Sequence, residues 1–176
     1  MADLKPDNAY AEDRHADPAK KLQFPPDAQK RFEELLTRYP TKEAALLPTL
    51  HLAQEVWGWV SPEVVLYAAE LLALSPATVF GVVSFYNMYN QKPVGKYYLQ
   101  VCTNLSCMIR DAYDIYDHVA EKLGCHPGEI TKDGRFTFTE VECLGSCGTA
   151  PVVQINNDYH EDMTVAKMSE LLTRLT

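Results

Sequence analysis

Two pairs of cysteines stand well apart in the chain, Cys102 with Cys107 and Cys143 with Cys147. A thiolate is both a nucleophile and a soft metal ligand, so such pairs can make disulfides, exchange them, or hold metal. The five cysteines are an odd number, and disulfide frameworks belong to small secreted chains. Exchange chemistry uses C-x-x-C, whereas four residues lie between Cys102 and Cys107. Structural zinc also takes four cysteines, but usually on C-x₂₋₄-C knuckles in much smaller modules. A [2Fe–2S] centre has two irons, each needing two protein sulfurs, and two pairs match that count. The assignment that follows is Cys102 and Cys107 to one iron, Cys143 and Cys147 to the other. A zinc-stapled interaction module without a redox role is the alternative of another class.

Other residues add no second centre. Cys125 falls away from both pairs and reads as an ordinary small residue. No histidine adjoins either pair, which argues against a Rieske set. There is no G-x-G-x-x-G after a strand, no G-x-x-x-x-G-K loop and no nucleophile–base–orienter set. No catalytic residue is therefore assigned, and a cluster here would carry electrons between other chains.

The elements that must position the cysteines can be read from apolar periodicity. Tyr97 to Val101 reads as a strand, and Ile109, Ala112, Tyr116, Val119, Ala120 and Leu123 trace a helix face ended by Gly124. Phe136 to Val141 reads as a second strand. Both cysteine pairs then follow strand ends, and parallel strands joined by a helix bring those ends to one sheet edge. Gly145 and Gly148 allow close backbone approach to an anionic cluster, and the helix after Cys107 directs its positive end there. Pro151–Ile155 and Tyr159-His160 flank Asn156-Asn157-Asp158 as a hairpin. Val165, Met168, Leu171, Leu172 and Leu175 make a last helix. The order βαβ then ββα is the thioredoxin arrangement. Whether the bond before Pro151 is cis stays open.

Residues 25–91 read as a separate helical bundle of short helices, and 92–176 as the cysteine-bearing domain. Phe32, Leu35, Leu36 and Tyr39 share a face of the first helix. Thr41 is a cap for the second, in which Pro48 should make a kink or a break and Gly58 the end. Ser61-Pro62 and Ser75-Pro76 each place a capping hydroxyl before a proline at the first helical position. Residues 1–24 are polar and without periodicity, as expected of a mobile tail.

A formal net charge of −8 argues against a nucleic-acid surface. Pro48, Pro62, Pro76 and many charges break every apolar run before the roughly 18 residues needed to span a bilayer. The acidic N-terminus lacks a secretory or transit pattern, so the expectation is a cytosolic bacterial protein or a mature chain.

Two runs carry a resemblance: Leu99-Gln100-Val101-Cys102-Thr103-Asn104 with Cys107, and Val141-Glu142-Cys143-Leu144-Gly145-Ser146-Cys147-Gly148-Thr149-Ala150-Pro151. With Leu50-His51-Leu52-Ala53-Gln54-Glu55 and Val79 to Tyr86, the chain resembles a family of small iron–sulfur subunits of NADH:quinone oxidoreductase, respiratory complex I. The likeness runs from about Phe24 to Leu175. The resemblance implies an α+β chain: an N-terminal helical bundle followed by a thioredoxin-like [2Fe–2S] ferredoxin domain. Each of the four family ligands has its cysteine here. It implies one [2Fe–2S] cluster near the flavin of a larger partner subunit, which binds NADH, FMN and a further Fe–S cluster. It also implies a place on the cytoplasmic face of the inner membrane, held there by the host complex. Related subunits serve NAD-linked hydrogenases and formate dehydrogenases, and the cysteine pattern does not separate these hosts. The helical part would dock the partner, with Trp57, Trp59, Tyr86 and Tyr89 as anchors or as core.

Overall fold

The computed structural model describes residues 22–175, so the expectation of a mobile tail falls almost wholly outside the described residues. The chain divides into two compact units between Pro93 and Val94.

The first unit contains α1 (Pro26–Thr37), α2 (Leu46–Trp57), α3 (Pro62–Leu72) and α4 (Pro76–Phe85). Its helix starts are chemical. Ser61 Oγ accepts the Val64 N–H at 3.2 Å and Ser75 Oγ the Thr78 N–H at 3.1 Å, each with proline at the next position. Thr41 Oγ1 accepts the Ala44 N–H at 3.1 Å, but it closes a turn, and the helix begins only at Leu46. Pro48 therefore lies in the first helical turn, where a missing N–H forfeits no intrahelical bond, and α2 runs unbroken. Gly58 ends it as expected, at φ 80° with its N–H on the Gln54 carbonyl at 2.7 Å.

The apolar faces of these helices close on Phe32, Leu50, Val56, Val64, Leu72 and Val79. Each such side chain contributes roughly 1.5–3 kcal/mol on burial. Trp57 and Tyr89 belong to this packing. Trp57 stacks on Phe24 with centroids 5.1 Å apart, and the buried Tyr89 hydroxyl donates to the Leu47 carbonyl at 2.9 Å. Tyr86 is partly buried against the same core, Trp59 is half-buried, and Tyr39 lies beyond the end of α1. Phe80, Phe85 and Tyr39 point outward instead, Phe85 being 79% exposed. Gln54 ties the segment after α4 to α2, accepting the Asn90 N–H at 2.7 Å and donating to the Met88 carbonyl at 3.0 Å.

The second unit is a four-stranded sheet of order β2-β1-β3-β4, with β1 Tyr97–Cys102, β2 Phe136–Val141, β3 Val153–Ile155 and β4 Asp158–His160. β1 and β2 run parallel, with Cys102 opposite Val141, while β3 pairs antiparallel with both β1 and β4. Asn156 and Asn157 turn the hairpin, Asn156 at φ 55°. The segment before β2 covers that strand's outer edge. Gly128 N–H donates to the Phe138 carbonyl at 2.8 Å and Thr131 N–H to the Phe136 carbonyl at 2.8 Å.

Between β1 and β2 come α5 (Leu105–Met108) and α6 (Ala112–Leu123), and α7 (Val165–Arg174) closes the chain. Gly124 caps α6 at φ 60°. Ile109 does not join the α6 face. Asp111 takes a positive φ of 67° and separates the helices, leaving Ile109 71% exposed. Leu99, Phe138, Ile115, Val119, Met168 and Leu172 fill the core between sheet and helices. Gly95 enters β1 so close to β2 that a Cβ there would lie 2.6 Å from the Phe136 carbonyl carbon.

Candidate metal centre

The parallel pairing of β1 and β2 places both cysteine-bearing segments at one end of the sheet. Cys102 is the last residue of β1, and Cys143 follows the end of β2 by two positions. Backbone bonds fix the first segment: Cys102 N–H to the Val152 carbonyl at 3.1 Å and Thr103 N–H to the Val141 carbonyl at 3.3 Å. Asn104 caps α5, its side chain accepting the Leu105 N–H at 2.7 Å. Cys107 thus sits inside a short helical turn, not in an open loop before the helix. The peptide bond between Ala150 and Pro151 is cis.

The four cysteines fall into two environments. Cys102 and Cys107 are 3% and 2% exposed and pack with Ala112 and Ala150, while Cys143 and Cys147 lie exposed. Ala112 opens α6, so the amino end of that helix lies against the buried pair, as the sequence suggests. Leu144, from the second loop, packs on the same small cluster. Burial pushes the Cys107 thiol up to about 11, helped by a hydrogen bond shared with Cys102 and by the neighbouring Cys102 and Cys147. A hydrogen bond from the Val152 backbone pulls the other way.

The structure thus buries Cys102 and Cys107 in one small cluster, on which the Cys143–Cys147 loop packs through Leu144. Cys143 stands on the same edge, its Sγ accepting the Gly145 N–H at 3.3 Å. Among the described residues no three Cys, His, Asp or Glu side chains form a closed metal-ligand group. The donor chemistry fits a cluster nonetheless: four thiols on two adjoining segments, with an N–H already directed at one sulfur. A bound cation would displace the proton that burial retains on Cys107.

Gly145 takes a φ of 76°, whereas Gly148 is not among the positive-φ glycines. Cys125 packs partly buried against the main core of this unit, away from the small cysteine cluster. Residues that sequence reasoning did not reach also border the site. Thr103 and Tyr113 donate to Glu140, and Ser146 and Thr149 donate to Glu161. The two bonds to Glu161 hold its carboxyl below the usual range. None of these pairings leaves a signal in local spacing.

The model of the thioredoxin-like [2Fe–2S] ferredoxin family matches residues 32–176. The chain belongs to that family. Its cofactor is a [2Fe–2S] cluster. Among curated relatives of this ferredoxin, NADH-quinone oxidoreductase subunit 2 of Thermus thermophilus is 45% identical over 152 residues, 85% of this chain and 84% of the relative. The E subunit of the NADH-quinone oxidoreductase of Rickettsia bellii is 44% identical over 146 residues, 81% of this chain and 87% of the relative. The resemblance carried by the cysteine motifs is met in these names. A solved NAD⁺-reducing [NiFe]-hydrogenase in the air-oxidised state shares the fold, with a TM-score of 0.65 at 21% identity over 74% of this chain. This ferredoxin spans only 22% of that hydrogenase chain. Among the described residues no helix is long and apolar enough to cross a membrane.

Proposed function

We propose that this ferredoxin is the iron–sulfur electron-transfer subunit of the NADH-oxidising part of an NADH:quinone oxidoreductase. Cys102, Cys107, Cys143 and Cys147 hold one [2Fe–2S] cluster close to the flavin of a larger partner subunit. The observation that supports the reading is the packing of Leu144, from the Cys143–Cys147 loop, on the buried cluster of Cys102 and Cys107, in a chain 45% identical to an NADH-quinone oxidoreductase subunit. When bound, the cluster supplies a site that accepts and releases one electron at a time.

The chain's own residues bind and insulate. Cys102 and Cys107 ligate from a buried, backbone-fixed position, while Cys143 and Cys147 ligate from the exposed loop. The Gly145 N–H and the amino end of α6 offset negative charge on sulfur. NADH, FMN and a further cluster belong to the partner, so the complete active site is not in this chain. Residues 25–91 dock that partner, with Phe80 and Phe85 as outward anchors in place of Trp57 and Tyr89. The host complex holds the chain at the cytoplasmic face of the inner membrane. Relatives matched over more than four fifths of both chains favour the respiratory host over a hydrogenase or formate dehydrogenase.

The test is iron, zinc and acid-labile sulfide content of anaerobically purified protein, with electron paramagnetic resonance after dithionite reduction. The expected result is two irons, two sulfides and a one-electron signal that C102S and C143S each change. One zinc without sulfide would make the chain a structural module, and unchanged spectra in both variants would overturn the ligand set.

A further inference from the structure

The loop bearing Cys143 and Cys147 is exposed, yet the segment at the end of β4 grips it from outside at several points. Tyr159 donates its hydroxyl to the Leu144 carbonyl at 2.9 Å. Glu161 Oε1 accepts both the Ser146 hydroxyl and the Thr149 hydroxyl, the latter at 2.6 Å, and those two hydroxyls lie 2.8 Å apart. Next along the chain, the Asp162 N–H donates to the Thr149 carbonyl at 2.7 Å and the Met163 N–H to the Pro151 carbonyl at 3.0 Å. The bonded positions on the loop, 144, 146 and 149, bracket Cys147 on both sides. The buried pair needs no such help, because the sheet itself fixes Cys102.

We infer that Glu161, assisted by Tyr159, is a positioning residue that fixes the backbone of the Cys143–Cys147 loop from which the two exposed cysteines reach the cluster. This rests on the cluster assignment proposed above. Glu161 acts through Ser146 and Thr149, its acceptor oxygen gathering two donors that the exposed loop would otherwise turn toward water. The acceptor is what counts, since glutamine offers the same carbonyl-type oxygen without the charge.

The test uses the full chain, purified anaerobically, as wild type, E161A, E161Q and Y159F. Two rates are read: loss of iron to a chelator, and backbone amide exchange at 144–149 in chain stripped of iron. E161A should lose iron about tenfold faster and exchange those amides about tenfold faster, since bonds to a charged acceptor are among the stronger ones. E161Q should return to within about threefold of wild type, and Y159F should fall between. Wild-type rates in E161A overturn the inference, and E161Q as fast as E161A overturns its hydrogen-bond basis. If E161A does not fold, the S146A/T149V double variant removes the donors instead and must show the same acceleration; wild-type rates in it overturn the clamp. A wild-type chain without iron and sulfide refutes the proposed function instead. Amide exchange in the iron-free chain then decides the clamp alone: faster in E161A supports it, unchanged overturns it.

Discussion

Thr103 and Glu140 join the two cysteine-bearing segments: the Thr103 hydroxyl donates to Glu140 Oε1 at 2.5 Å. Thr103 follows Cys102 directly, and Glu140 sits near the end of β2, three positions before Cys143. Tyr113 adds its own hydroxyl to the same oxygen at 3.2 Å. Thr103 is buried, so water cannot readily replace a lost bond. Thr103→Val should cost about 1–2 kcal/mol, and Thr103→Ser should restore most of it. Urea unfolding of the iron-free chain reads both; an unshifted midpoint in the valine variant would show that the bond contributes nothing.

Gly95→Ala should be among the most damaging single changes in the second unit. Its Cβ would meet the Phe136 carbonyl carbon at 2.6 Å and the Phe136 nitrogen at 2.8 Å, and backbone cannot rotate aside as a side-chain tip can. The Gly95 N–H also donates to the buried Thr137 hydroxyl at 2.9 Å, a bond that a displaced strand would break. Crowding of this kind costs roughly 1–3 kcal/mol. A melting temperature within one degree of wild type would refute it, because each kcal/mol moves a domain of this size by about 4–8 °C.

The two serine caps of the first unit should differ in worth. A lost cap costs about 1 kcal/mol on average. Ser61 is buried and Ser75 exposed, so water can take over the Thr78 N–H more easily than the Val64 N–H. Ser61→Ala should therefore destabilise more than Ser75→Ala in thermal melts followed by helical circular dichroism. The reverse order would contradict the burial argument.

His160 gives the chain a pH dependence with a definite sign. Burial, together with the Arg174 charge, lowers its pKa against the opposing pull of Asp158. The unfolded imidazole, near 6.5, then takes up its proton before the folded one. The stability His160 contributes is complete above about pH 6.5 and is lost as pH falls through the lower folded value. His160→Gln should flatten the decline in urea midpoint between about pH 7 and pH 5. Identical slopes in the two proteins would count against a half-buried neutral histidine.

The strands β1 and β2, the capped starts of α3 and α4 and the ends at Gly58 and Gly124 were legible because each depends on residues within a turn or two of one another. The cysteine edge was legible for a related reason: two strand ends and a crossover helix suffice to predict where their loops meet. Pro48 misled because its effect depends on whether the helix is capped at Thr41 or at Ala45, a difference of about one turn. Ile109 fits the α6 period, and only the positive φ at Asp111 removes it. Gly95, Thr103 and Glu161 were beyond reach, since their partners lie about forty residues away or across a loop whose path is set by the finished sheet. Trp57 and Tyr89 show the same limit. Large aromatics look alike in sequence whether they face a core or a partner.

The segment 128–131 that lies along β2 has a consequence for how copies of this chain behave in a crowded solution. A bare strand edge is a template on which another molecule can pair, and β2 would otherwise present six residues of it. With Gly128 and Thr131 already bonded to that edge, the sheet of the described residues leaves open mainly the three-residue β4. Copies of this chain therefore meet one another with little backbone on offer, and self-association through strand pairing is blunted.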